Sequence, residues 1–207
     1  MPPILFKHQL YALKADNRTL IDRELQDMFN DNQIRLFHSD FGTMFMSTTD
    51  YQLLIERQLH DEHLSSASME KSRLKQRFIH DLLPKCIRLS VDRTLLETDY
   101  HMNSNDINLL VQQGLLLPKD VDQYWFSVPN LGRFVTCIEK ARRTLKSMIS
   151  RRTYQEISLE EFRLRELKRS QCLLGFDYHI YDLIGGNLAH LLDTPTGLVV
   201  RKGPEKV

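Results

Sequence analysis

Seven basic residues, Arg133, Lys140, Arg142, Arg143, Lys146, Arg151 and Arg152, fall in one stretch with a single acidic residue, Glu139, among them. The stretch carries a net +6 on a chain whose formal charge is +1, so the remainder carries −5. Cations at this density repel one another unless an anion sits among them, and a nucleic-acid backbone supplies anions at regular intervals. At about 100° per residue, with Phe134 as origin, Ile138, Ala141, Leu145 and Met148 fall within about 40° of it and form an apolar stripe. Arg133, Lys140, Arg143 and Lys146 fall about 100° or more away, on the far side. A merely solvated helix face mixes signs, because i,i+4 Glu–Lys pairs stabilise it. This face does not, although a solvated basic face remains the alternative. Arg163, Arg165, Lys168, Arg169, Arg201 and Lys202 extend the bias toward the C-terminus.

Other motifs lose their chemistry in context. Asp40-Phe41-Gly42 spells the metal-binding triplet of protein kinases. A kinase also needs a Gly-rich loop, a strand lysine and a catalytic-loop Asp and Asn upstream. Only 39 residues precede Asp40, and none is Gly. The triplet therefore reads as a hairpin turn. His60-Asp61-Glu62-His63 lacks the spacing of a helical zinc motif and reads as a solvated linker. Gly185-Gly186 inside a helical pattern points to close packing against a neighbour, since each glycine costs a helix about 1 kcal/mol relative to Ala. No phosphate-cradling loop, nucleophile elbow or paired-carboxylate site stands out. No metal, no cofactor and no enzymatic activity are expected.

The chain has 207 residues, of which 42% are hydrophobic and 27% charged, which fits globular units rather than a disordered chain. No apolar run approaches the roughly 20 residues of a membrane helix. Met1-Pro2-Pro3-Ile4 does not begin a signal peptide. The cysteines, Cys86, Cys137 and Cys172, are odd in number and far apart, which predicts a reducing compartment.

The elements that must position the cations repeat an order. Ile4 to Leu13 and Thr19 to Asn30 read as helices, the second with Leu20, Ile21, Leu25, Met28 and Phe29 inward. Asn30-Asp31-Asn32 is a turn, and Ile34 to His38 with Thr43 to Ser47 form a hairpin. A helix follows from Thr48 to Leu59, and residues 60–72 read as a linker. Next come helices over Leu74–Cys86 and Asp92–His101, and a third capped by Asn103-Ser104 and stopped by Gly114. Leu115–Pro118 and Gln123–Val128 pair as a hairpin, with Trp125 or Phe126 buried, and a helix from Leu131 to Ser150 closes this part. Leu159–Leu167 and Tyr178–Leu192 read as helices, Asp193 to Gly197 as a turn, and Leu198-Val199-Val200 as a strand. A capped helix, a tight turn and then an apolar strand or hairpin thus recur three times. The expected class is mostly α with short β-hairpins (α+β), arranged as three tandem winged-helix domains at 1–64, 70–150 and 151–207, against a single irregular α+β domain. The second helix of the first copy carries Asp22, Glu24 and Asp27, with Asp31 just after. Carboxylates repel phosphates, so that copy is expected to be structural or protein-binding.

Pro2-Pro3-Ile4, the stretch from Gln9 to Ile34, Trp125 to Phe134 with Val128-Pro129 and Gly132-Arg133-Phe134, and above all Tyr178-His179-Ile180-Tyr181-Asp182-Leu183-Ile184-Gly185 followed by Thr196-Gly197, resemble the serine/threonine-protein kinase 19 family, also called winged-helix repair factors. The resemblance runs nearly end to end. It implies three winged helices that bind double-stranded DNA and RNA, a nuclear and chromatin location, and a role in transcription-coupled nucleotide excision repair beside RNA polymerase II and its repair proteins. It carries the family's nucleic-acid contacts onto Lys140, Arg142, Arg151 and Arg165. Ser150 and Thr153 stand where the family has basic residues, and neighbouring Arg151 and Arg152 would replace them. The family's basic N-terminal tail has no counterpart here, so a nuclear-targeting segment is expected to be missing from this chain.

Together these readings give a non-catalytic, largely sequence-nonspecific nucleic-acid-binding protein of DNA repair. The expected contacts are Arg133, Lys140, Arg142, Arg143, Lys146, Arg151, Arg152, Arg163, Arg165, Lys168 and Arg201. A protein-interaction scaffold without DNA binding and a protein kinase are the alternatives. No membrane partner is expected, and homodimerisation stays open.

Overall fold

The computed structural model describes residues 2–14, 17–60, 66–165 and 173–204. The chain begins with β1 (Leu5–Phe6), α1 (Lys7–Leu13), α2 (Arg18–Asn30), β2 (Ile34–Phe37), β3 (Met44–Ser47) and α3 (Thr48–His60). It continues with α4 (Ser66–Arg77), a π-helical turn (Phe78–Leu82), α5 (Leu83–Lys85), β4 (Ser90–Asp92), α6 (Arg93–Thr98), α7 (Ser104–Gln112), β5 (Leu116–Asp120), β6 (Gln123–Phe126) and α8 (Leu131–Ser150). It ends with β7 (Glu156–Ser158), α9 (Leu159–Leu164), α10 (Phe176–Gly185), β8 (Ala189–Thr194) and β9 (Gly197–Lys202). The strands form three small sheets, ordered β1-β3-β2, β4-β6-β5 and β7-β9-β8. A short strand, two helices and a hairpin therefore recur three times.

The recurrence extends to single backbone bonds. The second helix of each copy ends on a left-handed residue, Asn32 (φ 56), Gly114 (φ 70) or Asn187 (φ 56). The next amide reaches back five residues, from Gln33 to the Met28 carbonyl (2.9 Å), Leu115 to Leu110 (3.0 Å) and Leu188 to Leu183 (2.8 Å). This geometry satisfies carbonyls that a helix end would otherwise leave unpaired. The residue after that turn then accepts from the residue leaving the hairpin, at 2.9 Å in all three copies: Thr48 to Gln33, Ser127 to Leu115 and Gly203 to Leu188.

The third copy corrects the expected helix over Tyr178–Leu192. That helix stops at Gly185, and residues 189–194 are strand β8. The third equivalent turn therefore lies at Gly186-Asn187, and 194–197 is the hairpin tip. A Cβ on Gly185 would lie 2.0 Å from the His8 carbonyl oxygen, so this glycine is required by the close packing of α1. On α2 only Ile21 is buried, while Leu20 (47%) and Met28 (39%) are exposed, contrary to the expected inner face. The expected linker at 60–72 is helical from Ser66. His63 and most of the His60-to-His63 motif, with Lys168 and Arg169, lie outside the described residues. Asp40-Phe41-Gly42 sits between β2 and β3, where the Gly42 amide donates to Ser39 (3.0 Å).

The chain separates into two compact units, Met1–Leu5 with Asp22–Leu131, and Phe6–Ile21 with Gly132–Val207. In the first, Tyr51 is fully buried, meets Phe37 edge-on at 5.0 Å and donates to the Ser127 carbonyl at 2.7 Å. Arg35 is 2% exposed, and its guanidinium donates to the carbonyls of Leu83 and Cys86. Helix α5 ends at Lys85, and this buried cation caps carbonyls that the helix end leaves without amide partners. Phe126 lies opposite Leu116 in the hairpin register and is 3% exposed, while Trp125 is half-buried and stacks on His38. Phe126→Ala is therefore expected to cost about 3–5 kcal/mol. Trp125→Ala should cost less, and denaturant unfolding in which the order is reversed would contradict this register.

Candidate nucleic-acid interface

Helix α8 spans 20 residues because its sequence satisfies two environments at once. Phe134, Cys137, Ile138, Ala141, Leu145 and Ile149 are buried along one side. Leu145 and Ile149 join a core with Ile157, Phe162, Ile180, Leu183, Ala189 and Val200. That packing fixes the rotation of the helix and turns the opposite side outward. Arg133, Lys140 and Arg143 on that side are exposed, Lys146 is half-exposed, and Arg151 is exposed just past the last turn. Among the described residues none of these five has an ion-pair partner. A shallow cavity of about 300 Å³ opens beside the first turns, lined by Gly132, Arg133, Thr136, Cys137, Lys140 and Leu173.

The remaining expected contacts divide by partner. Arg142 grips Asp182 with two bonds, Nε to Oδ2 and a terminal nitrogen to Oδ1, both 2.7 Å. Asp182 is completely buried, and His8 Nε2 lies 2.8 Å from the same Oδ1. Burial alone would push the Asp182 carboxyl up, but the hydrogen bonds and charges of Arg142 and His8 outweigh it and hold the group below its ordinary value. Gln9 adds a bond to the Tyr178 carbonyl at 2.9 Å. The arrangement latches α1 and α8 to α10, so Arg142 is a structural residue whose guanidinium is already occupied.

Arg152 and Arg165 both pair with Glu161, Arg163 pairs with Asp177 at 2.5 Å, and Arg201 pairs with Glu156. These carboxylates come from β7, α9 and the start of α10: Glu161 is an i,i+4 neighbour of Arg165, whereas the partners of Arg152, Arg163 and Arg201 lie 9, 14 and 45 positions away. All four pairs are solvent-accessible, where an ion pair contributes about 0–1 kcal/mol and can be exchanged for a phosphate. Lys168 lies outside the described residues. Glu24 and Asp27 on α2, and Asp31 just after it, are exposed, which makes that end of the helix repulsive to a polyanion.

Three copies of a strand–helix–helix–hairpin unit, one of them followed by a helix with an unpaired cationic face, define a repeat-built protein of mixed helix and strand. Residues 1–202 match the family model described as inactive serine-threonine protein kinase 19, and the chain belongs to that family. It is 30% identical over 206 residues to the proteins of Mus musculus and Homo sapiens named winged helix repair factor 1, covering 97% of this chain and 77% of each relative. The protein of that name from Xenopus laevis is 30% identical over 204 residues, covering 97% of this chain and 75% of the relative.

Proposed function

We propose that this chain consists of three tandem winged helices, at 1–64, 70–150 and 151–207, and binds duplex DNA with weak sequence preference, with RNA as a second ligand. The observation that carries the reading is the face of α8, where Arg133, Lys140, Arg143 and Lys146 share one side without carboxylate partners among the described residues. Cations so placed suit phosphates, and phosphate contacts position a protein without reading bases. Arg151 extends this set, and Arg152, Arg163, Arg165 and Arg201 would form its outer part by exchanging carboxylates for phosphate, with Lys168, outside the described residues, kept as a contact on the sequence alone. The relatives' name, repair factor, supports a non-catalytic role in DNA repair. The finer assignment is transcription-coupled nucleotide excision repair, on chromatin in the nucleus, beside RNA polymerase II and its repair proteins. The acidic α2 favours a protein partner for the first copy.

A salt titration of duplex binding tests the reading. Four phosphate contacts give a slope of log affinity against log salt of about −3.6, a loss of roughly 150-fold between 50 and 200 mM. Tight but salt-independent binding, or no binding to duplex at any salt, would contradict it.

A further inference from the structure

We propose that Tyr154 is a stacking platform for an unpaired nucleobase, so that the cationic end of α8 prefers DNA with a bulged or single-stranded nucleotide over unbroken duplex. The inference rests on the nucleic-acid reading above and names the ligand feature that this end of the site selects. Tyr154 is 83% exposed, so its ring contributes almost nothing to the core. The backbone that carries it is nonetheless held in place. The Gln155 amide donates to the Arg152 carbonyl at 2.9 Å, the Lys202 amide donates to the Gln155 carbonyl at 3.0 Å, and Gln155 is left-handed at φ 53. A tight turn tied to β9 presents the ring, and with the backbone fixed only the side-chain rotations are lost when a base stacks on it.

The surroundings distinguish a base from a phosphate. Arg151, exposed and without a carboxylate partner among the described residues, precedes the turn and can hold the phosphate beside the stacked nucleotide. Next to the ring lies a shallow cavity of about 340 Å³ whose polar lining includes Arg152, Thr153, Glu156, Ser158 and Glu161. Its two carboxylates, Glu156 and Glu161, are held by Arg201 and by Arg152 and Arg165; their remaining lone pairs accept hydrogen bonds from the amino groups of a base edge, while the hydroxyls of Thr153 and Ser158 donate to ring nitrogens and carbonyls. In a duplex those edges are already paired. An unpaired base offers both its face and its edge, which is the combination used in single-strand recognition.

The test compares the full chain on three DNAs of one sequence, each carrying 2-aminopurine: a blunt duplex, a duplex with the probe in a one-nucleotide bulge, and a single strand. The expected result is quenching of the unpaired probe and tighter binding of the bulged than of the blunt duplex. Tyr154→Ala should lose roughly 5- to 100-fold on unpaired substrates, leave the blunt duplex unchanged and abolish the quenching, while Tyr154→Phe retains both effects. Loss of that quenching in Tyr154→Ala on the bulged duplex supports the proposal, and the single strand shows whether a free strand is bound in the same way. Equal affinity for bulged and blunt duplex, or quenching that survives Tyr154→Ala, overturns it. If the blunt duplex still shows the expected salt slope, only this inference has failed. If no DNA binds, the underlying reading fails with it.

Discussion

Arg142→Ala is expected to lower the stability of the protein by about 3–5 kcal/mol at neutral pH, with a fall of about 10 °C in melting temperature. The reason is the carboxylate it leaves behind. Asp182 is fully buried, and Arg142 supplies two of its hydrogen bonds, leaving His8 alone to face the charge. The guanidinium also lies 5.9 Å from the centre of the Phe6 ring, so packing is lost together with charge. The pH dependence separates this mechanism from simple loss of volume. In the wild type the Asp182 carboxyl sits below its ordinary value, so its stabilisation is present above about pH 4 and is lost as pH falls through the lowered folded value. His179 acts in the same direction. Burial holds it below its ordinary value, so its neutral form is favoured and stability declines as pH drops below about 6.5. In the variant the stranded carboxyl is governed by burial, which raises it, and protonation relieves the penalty. The gap between wild type and Arg142→Ala should therefore narrow toward pH 4. Denaturant unfolding at the two pH values checks this, and a variant within 1 kcal/mol of wild type at neutral pH would show that Arg142 is not part of the latch.

That latch marks where sequence reading ran out. The 20 residues of α8 were legible in full, because an apolar stripe at helical spacing and a one-signed opposite face are both periodic signals. That one of Trp125 and Phe126 would be buried in its hairpin was legible from strand alternation, though not which of the two, and Gly185 was legible as a close-packing site from its cost in a helix. The leading strands β1, β4 and β7 were not legible, because two or three residues cannot display a period of two. The end of α10 was missed for the opposite reason. Leu188, Leu191 and Leu192 continue the apolar spacing, and only the left-handed Asn187 breaks the helix before them. The partners of Arg142, Arg152, Arg163 and Arg201 lie 9 to 45 positions away in sequence, so no local charge pattern could reveal that these cations are already paired. Pairing divides the basic residues into a structural one, an exchangeable set and a free set, and only tertiary contacts supply that division.

The free set yields the second large effect. Reversing Lys140 and Arg143 together to Glu should weaken every duplex tested by a common factor of at least about 60 at 0.1 M salt, since each lost phosphate contact removes about 0.9 log unit through counterion release alone. The new carboxylates add repulsion beyond that. The salt slope should flatten from about −3.6 to about −1.8, because two of four contacts are gone. Sequence preference should not change, because phosphate contacts carry no base information. The fold should survive. Both side chains are exposed and lie opposite the buried stripe of α8, where substitutions typically change stability by no more than about 0.5 kcal/mol. This contrast with Arg142 matters, because loss of binding in Arg142→Ala would come with loss of structure, whereas the double reversal should separate them. Anisotropy titrations at several salt concentrations, paired with a melting curve, check both halves. An unchanged affinity in a folded double variant would move the nucleic acid off α8, to the third copy around Arg165, Lys168 and Arg201.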